Sequence, residues 1–595
     1  MSIEAVDLAE LIPGDMPDGR EVAAEGRALG DTVEVGQTLY CKEKGVGSER
    51  EWREIAREKG IPCSSFSIGL NTWEETREGM VRIYEDALAR GVRPPDRIQL
   101  IAERRMGLPK DKRAEAPQET GPSLWTDQDW WELANTVPIY PETADNMIGG
   151  PGSLDNAIDS LRVGITTIGA LSQFTWRWPY WDDDATQIAS VVKAIGLLAS
   201  KRDQGVVLDT YLEDGYPGVF HDYSSYVGWA MLECYVTQDL IGAAYASAAF
   251  GSLTQNPIIK AAVVLALYEV NPERIPMSYT AGDTIGYTLD HDANMAALVN
   301  DLTFSKLTDM HYKLGTAPLA VPVTETERIP TWEEIAQVQT ISRKCDQYVP
   351  MLEPYVDWDK IETMRDELVA GGTVFFKNAL EIMNTMGVDT EDPCQVLVVM
   401  KRLGPEMMER MFGAGERNDS YMRGHKPILQ TDLVRQTMEK RDEVLIELAQ
   451  RAPDDSLKRR KVLVASTDVH EFSKFLLTST FDAVGSRVID CGVNCDPEDV
   501  VKVAVETEAD AVVITTHNGV ARSFGTKLVD EMRTARIDAP IYMGGVLNED
   551  VEGSDMPVDV RQDLHSLGIA TPESIDEMME AIKGSIYRAG TAGSA

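Results

Sequence analysis

At 595 residues the chain has length for two or more domains with large cores. Its 97 acidic against 57 basic residues give a formal charge of -40, which argues against nucleic acid and anionic membrane surfaces, both of which call for basic patches. No apolar run reaches the roughly 18 to 20 residues of a membrane span, the acidic start lacks a signal-peptide pattern, and the seven cysteines form no C-x-x-C pair, so a reduced, cytoplasmic protein without a zinc site is expected.

Residues 1–48, rich in Gly, Glu and Asp, read as an extended N-terminal arm. A helix follows from Glu49 and stops at Gly60, then a short strand at 67–70, and an amphipathic helix at 72–90 closed by Gly91. Residues 97–102 read as a strand that ends on Arg104 and Arg105. Beyond a charged loop at 109–122, Trp125, Trp130 and Trp131 gather in a short acidic helix. From Pro138 the pattern alternates: a strand end at 139–140, a helix at 153–164, a strand at 165–168, a helix at 184–203, a strand at 206–211 and a helix at 226–241. Further helices at 258–268 and 294–301 flank an apolar run at 275–279. Repeated strand–loop–helix units over about 250 residues predict a (β/α)8 TIM-like barrel. Loops after strands build the site of such a barrel, and here they hold Trp176, Arg177, Trp178, Tyr180, Glu213, His221, Asp222, Tyr223, Gln255 and Asn256.

The last part is the most regular. Short β-branched runs at 462–465, 488–490 and 511–516 alternate with helical-length amphipathic segments, and further runs lie at 540–543 and 567–570. Short runs of this kind suit strands buried on both faces of a parallel sheet. Five strands and five helices in about 135 residues predict a flavodoxin-like (Rossmann-like) doubly wound domain, whose ligands sit at the carboxyl ends of its strands. At those ends stand Asp468 and His470, then Thr515 and His517, then Gly544 and Gly545. The domains expected are therefore an arm at 1–48, a barrel with its N-terminal extension at 49–450, a linker at 451–460 and the doubly wound domain at 461–595.

Asp468-Val469-His470-Glu471-Phe472-Ser473, Thr515-Thr516-His517 and Gly544-Gly545 resemble the D-x-H-x-x-G, S-x-L and G-G pieces of the cobalamin (vitamin B12)-binding domain of mutases and methyltransferases. Ser473 stands in place of the motif's glycine and His517 in place of its leucine. The resemblance implies that His470 ligates cobalt, oriented by Asp468, with Ser473, Thr515, His517, Gly544 and Gly545 lining the cofactor site. A metal-bound imidazole gains basicity and a fixed orientation from such a carboxylate.

More faintly, residues 140–450 resemble the catalytic chain of glutamate mutase: Trp176 to Tyr180 meet its Y-N-V-P-Y segment, and Val321 to Glu325 with Pro330 to Glu333 meet its K-T-P-H-E and P-T-x-E segments. Glu325 then falls near the adenosyl ribose, and Tyr180 near substrate or adenosyl. The family's amine-holding glutamate aligns near Ala170, and no arginine clamp is evident beyond Arg104, Arg105 and Arg177. Barrel and cobalamin domain in one chain is the arrangement of 2-methyleneglutarate mutase. The resemblance implies an adenosylcobalamin-dependent isomerase, a radical mutase of a small carboxylic acid other than glutamate, working as a homodimer. Arg177 is the expected carboxylate partner. Two rival readings are a corrinoid-dependent methyltransferase, which carries a four-helix cap before the same domain, and a non-enzymatic cobalamin carrier or sensor.

Overall fold

The computed structural model describes residues 11–210, 212, 220–247, 254, 256–276, 280–282, 286–418, 421, 423–449, 455–468, 471–517, 519–549 and 558–592. Contacts divide the chain into two compact units, one of Met1–Trp178 with Asp182–Thr431, the other of Pro179–Trp181 with Asp432–Ala595.

The first unit holds eight short strands: β1 (Ser65–Ile68), β2 (Arg97–Leu100), β3 (Tyr140–Thr143), β4 (Thr167–Ile168), β5 (Val207–Thr210), β6 (Tyr245–Ser247), β7 (Thr280–Ala281) and β8 (Leu319–Ala320). Their order is β6-β5-β4-β3-β2-β1-β8-β7. All the pairings are parallel, and Ser65 of β1 lies opposite Leu319 of β8, so the first and last strands are neighbours in a curled parallel sheet. No pairing of β6 with β7 occurs among the described residues, so what is described is a curled parallel sheet, or half-barrel, rather than the complete (β/α)8 barrel expected from the alternation. All four residues of β2, Arg-Ile-Gln-Leu, are buried, as expected of strands covered on both faces.

Local signals fix the helices between these strands. Thr72 caps the helix Trp73–Ala89 by accepting from the Glu75 N–H, and Gly91 takes a left-handed φ of 65° just beyond it. Asn256 caps the helix Pro257–Val270, whose Pro257 has no N–H to satisfy.

Three sequence expectations need correction. Residues 19–44 are not extended: they form the helices Gly19–Leu29 and Leu39–Lys44, which bury Val22, Ala23, Tyr40 and Cys41. A Cβ at Gly26 would lie 2.1 Å from the Lys193 carbonyl oxygen, and one at Gly196 2.3 Å from that of Ala23. The helix Gly19–Leu29 therefore packs backbone to backbone on the helix Asp184–Ala199, through small residues that carry little hydrophobic signal. The segment read as a helix at 294–301 is a single helix, His291–Tyr312, and the strand after it is β8. The helix read at 226–241 starts earlier, at Tyr223, and ends in a π-helical stretch, Tyr235–Ile241.

The second unit is built on β9 (Lys461–Ser466), β10 (Arg487–Gly492), β11 (Ala511–Thr516) and β12 (Ile541–Gly545), in the order β10-β9-β11-β12. All pairings are parallel, and a parallel bridge between Tyr542 and Ala570 adds the fifth position beside β12. Leu463, Ala465, Val512, Ile514 and Met543 belong to one core, and Val462, Val464, Ala511, Val513 and Tyr542 to another. The alternation shows two buried faces, each fully buried aliphatic side chain contributing about 1.5–3 kcal/mol. The strand order reverses between β9 and β11, which puts a crevice at their carboxyl ends. The helix Asp432–Ala449 belongs to this unit by its contacts. Residues 450–454 lie outside the described residues.

Candidate functional site

The carboxyl edge of the second sheet is tied together by polar groups. Asp468, two residues past β9, is buried, and its Oδ2 accepts from the backbone N–H of His517 at 2.6 Å and from the Thr467 hydroxyl at 3.3 Å. The Thr467 N–H donates to the Thr515 carbonyl at 2.9 Å, and the Thr467 hydroxyl lies 2.9 Å from that of Thr516. From the β10 side, the Asn494 N–H donates to the Asp468 carbonyl at 3.1 Å and the Cys495 N–H to that of Ser466 at 3.0 Å. Three loops are thereby joined around one carboxylate. Burying a charge is costly unless donors surround it, and here one donor comes from the neighbouring strand end and one from the residue beside it.

The two glycines that end β12, beside β11, are unlike each other. Gly545 has a φ of 101°, and a Cβ there would stand 2.3 Å from the Thr516 carbonyl oxygen, so only glycine fits. A Cβ at Gly544 would meet only Met578 Cε, at 3.6 Å, which leaves space at the edge of the crevice.

Of the residues singled out in the sequence, Asp468, Thr515, His517, Gly544 and Gly545 share this edge. Thr515 is buried, with its hydroxyl 3.5 Å from the Ala465 carbonyl, whereas His517 is exposed. Ser473 is exposed in the first turn of the helix Glu471–Ala483. His470 lies outside the described residues. Sequence reasoning missed Thr467, Thr516 and Asn494; the hydroxyl pairs that close β9 and β11, Ser466-Thr467 and Thr515-Thr516, are the signal that could have found the first two.

In the first unit the loop after β4 is anchored from below. The Lys401 ammonium donates to the carbonyls of Trp176 at 2.7 Å and Phe174 at 3.3 Å and to Gln187 Oε1 at 3.0 Å, and burial pushes it down to about 8. Trp176 and Trp178 are buried with ring centroids 6.1 Å apart, and Trp178 packs on Gly107. Arg177 and Glu325 are exposed; Tyr180, which groups with the second unit, is 48% exposed with a φ of 53°. Arg104 is closed by a bidentate pair to Glu119, with contacts of 2.8 and 2.7 Å, and Arg105 by one to Glu103, at 2.8 and 2.6 Å. His221 and Asp222 sit in a buried cluster, where their backbone N–H groups donate to Glu409 at 2.8 and 3.0 Å and Asp222 caps the helix Tyr223–Cys234. Asn256 is the helix cap described above. Glu213 and Gln255 lie outside the described residues.

Nothing in the residue pattern signals the charges inside the curled sheet. Arg97 of β2 pairs with Glu142 of β3 and, at 3.0 Å, with Asp209 of β5, and all three are buried. Burial, with the Asp209 charge adding to it, pushes the Glu142 carboxyl well above the usual range although Arg97 opposes the shift.

A comparison of the chain with curated proteins finds no match. Among the described residues no helix is long and apolar enough to cross a membrane, and no group of three His, Cys, Asp or Glu side chains could hold a metal ion. A cobalt carried in a corrin ring needs no such group, because the ring supplies four nitrogens. The spacious Gly544 edge and the donor-held Asp468 beside the motif histidine's position fit such a cofactor. Residues 461–570 match the family described as B12 binding domain, so the chain carries a B12-binding domain over the second sheet, and this supports a cobalamin-dependent function.

Proposed function

We propose that the protein is an adenosylcobalamin-dependent mutase that rearranges the carbon skeleton of a small carboxylic acid other than glutamate. The observation that carries this reading is the presence in one chain of the B12-binding domain and a curled sheet of eight parallel strands with β1 beside β8. We take that sheet to close as a (β/α)8 barrel, the architecture that suits enclosure of a reactive radical. The methyltransferase reading is less well supported, because a single helix, Asp432–Ala449, precedes the domain among the described residues of the second unit, where a four-helix cap would be needed.

When bound, adenosylcobalamin would supply the radical chemistry of the rearrangement. The chain's own part is binding and orientation. His470 would hold the cobalt, and Asp468, whose Oδ2 accepts from the His517 N–H and the Thr467 hydroxyl, would orient its imidazole. Arg177 would hold a substrate carboxylate, with Tyr180 and Glu325 contacting substrate or adenosyl. The choice against glutamate rests on the end of β4. Ala170 carries no carboxylate, and Gln173 is already engaged with the Asn146 N–H at 2.8 Å and with Asp145 at 3.0 Å. An ammonium group buried there would gain no carboxylate from residue 170 and would have to compete with Gln173 for Asp145, which is costly.

The test is to incubate the full chain with adenosylcobalamin and either glutamate, 2-methylene diacids or branched diacids, and to follow isomerised product by proton NMR. A parallel sample holds methylcobalamin and a thiol acceptor. Isomerisation of a diacid without an amine is expected. Glutamate turnover at a comparable rate would remove the substrate claim, and methyl transfer to the thiol without isomerisation would remove the mutase claim.

A further inference from the structure

The loop after β4 is held at two points. Its short 3-10 helix, Leu171–Thr175, ends at Trp176, and the last carbonyls of such a helix have no partner within it. Lys401, on the helix Pro393–Phe412, supplies what is missing. Its ammonium donates to the carbonyls of Trp176 at 2.7 Å and Phe174 at 3.3 Å and to Gln187 Oε1 at 3.0 Å. Gln187 is oriented for this, because its Nε2 donates to the carbonyls of Phe174 at 3.0 Å and Gly149 at 2.8 Å, which leaves Oε1 to accept. Lys401 and Gln187 thus join the loop after β4 to the loop after β3. The second point is Trp178, whose ring lies against Gly107 and Gly150, where a Cβ would overlap it.

Three acceptors use all three ammonium hydrogens. A neutral amine keeps two and turns a lone pair towards an oxygen, so one of the acceptors loses its donor and faces repulsion. The Lys401 side chain is 8% exposed, and burial pushes its pKa down to about 8. Asp184, at 3.4 Å, opposes that shift, whereas Arg177 from the loop and Arg402 from the same helix add to it. Arg402 is itself paired with Asp184 at 2.8 Å. Resting on the reading of this loop as the one that binds substrate, we infer that Lys401 is its positioning residue: the ammonium holds the loop in its binding form, and loss of one proton releases it, so that substrate affinity falls in alkaline solution.

The full chain carrying 5-fluorotryptophan is followed by fluorine NMR from about pH 6.5 to about pH 10, with Trp176 and Trp178 assigned through their phenylalanine variants. Both resonances are expected to shift with one midpoint near pH 8 in the wild type. They should stay flat in Lys401→Arg, which keeps its charge, and sit at the alkaline position throughout in Lys401→Met. The same three proteins, loaded with adenosylcobalamin, are assayed for isomerisation of 2-methyleneglutarate. Above about pH 8 the wild-type KM should rise towards about tenfold per pH unit with kcat nearly unchanged, and Lys401→Arg should lose that rise. Resonances that ignore pH in the wild type, or that move alike in Lys401→Arg, would overturn the inference whatever the activity. A KM that stays flat while the resonances titrate would overturn the positioning role and leave the mutase reading standing. No isomerisation at any pH, with the resonances titrating as expected, would overturn the reading on which the inference rests.

Discussion

The two sheets place their polar residues in opposite positions. In the first, charge lies inside the strands: Arg97, Glu142 and Asp209 meet in the interior, and all are buried. In the second, β9 and β11 are apolar along both buried faces and become polar only where they end, at Ser466, Thr467, Asp468, Thr515 and Thr516. The difference separates stability from chemistry. Removing a charge from the first interior leaves its partners buried and unpaired, so it should act on folding. A change to a polar side chain at the rim of the second sheet alters groups that its two cores do not need, so it should act on binding. Because all 11 tryptophans precede residue 359 and only Trp181 groups with the second unit, tryptophan fluorescence reads the unfolding of the first unit almost alone.

The largest effect should come from Arg97→Met, which strands Glu142 and Asp209. A loss of about 3–5 kcal/mol is expected from urea unfolding followed by fluorescence. A change below about 1 kcal/mol would mean that the interior charges are not mutually dependent. Next is Glu233, whose carboxyl accepts from Thr210, Tyr245 and Trp229 at 2.7, 2.8 and 2.8 Å, and which burial raises from 4.5 to about 7. Between those two values the folded state holds a proton that the unfolded chain has released, so this group's contribution is complete below about pH 4.5 and is lost as pH rises to about 7. Glu233→Gln cannot titrate. Relative to wild type, the variant should gain stability on the order of 3 kcal/mol across that window, measured as the difference between the two unfolding free energies at each pH. A pH-independent difference would contradict the assignment.

At the second sheet, two adjacent glycines sharpen the contrast. Gly545→Ala forces a left-handed φ on alanine and a Cβ against the Thr516 carbonyl, at an expected cost of about 1–3 kcal/mol by thermal unfolding. Gly544→Ala has room and should stay within about 0.5 kcal/mol of wild type. Similar losses in both would mean that the edge is packed rather than open. Asp468→Ala should weaken cobalamin binding about tenfold, read by spectral titration, while leaving the first unit's unfolding curve in place.

The second sheet was legible because buried parallel strands write themselves as β-branched runs: Val462 to Ala465 and Ala511 to Thr516 stand out without any partner being known. The first sheet was legible only as an alternation. Its strands are two to four residues long, and β2 and β3 carry Arg97, Gln99, Pro141 and Glu142, which break the apolar pattern. The packing of Gly26 on Lys193 and of Gly196 on Ala23 gave no hydrophobic signal, which is why the first helices read as an arm. At the candidate site, spacing brought out Asp468, Thr515, His517 and the glycine pair. It could not bring out the meeting of Arg97 with Asp209, which are 112 positions apart and joined only by strand order.

The central claim is that cobalamin binds at the carboxyl edge of the second sheet through a histidine of this chain. The most direct measurement is the electron paramagnetic resonance spectrum of the cobalt(II) form bound to full-length protein, prepared with natural and with nitrogen-15-labelled histidine. The account predicts that labelling changes the nitrogen hyperfine splitting and that His470→Ala abolishes the change. A splitting that is the same in both preparations would contradict it.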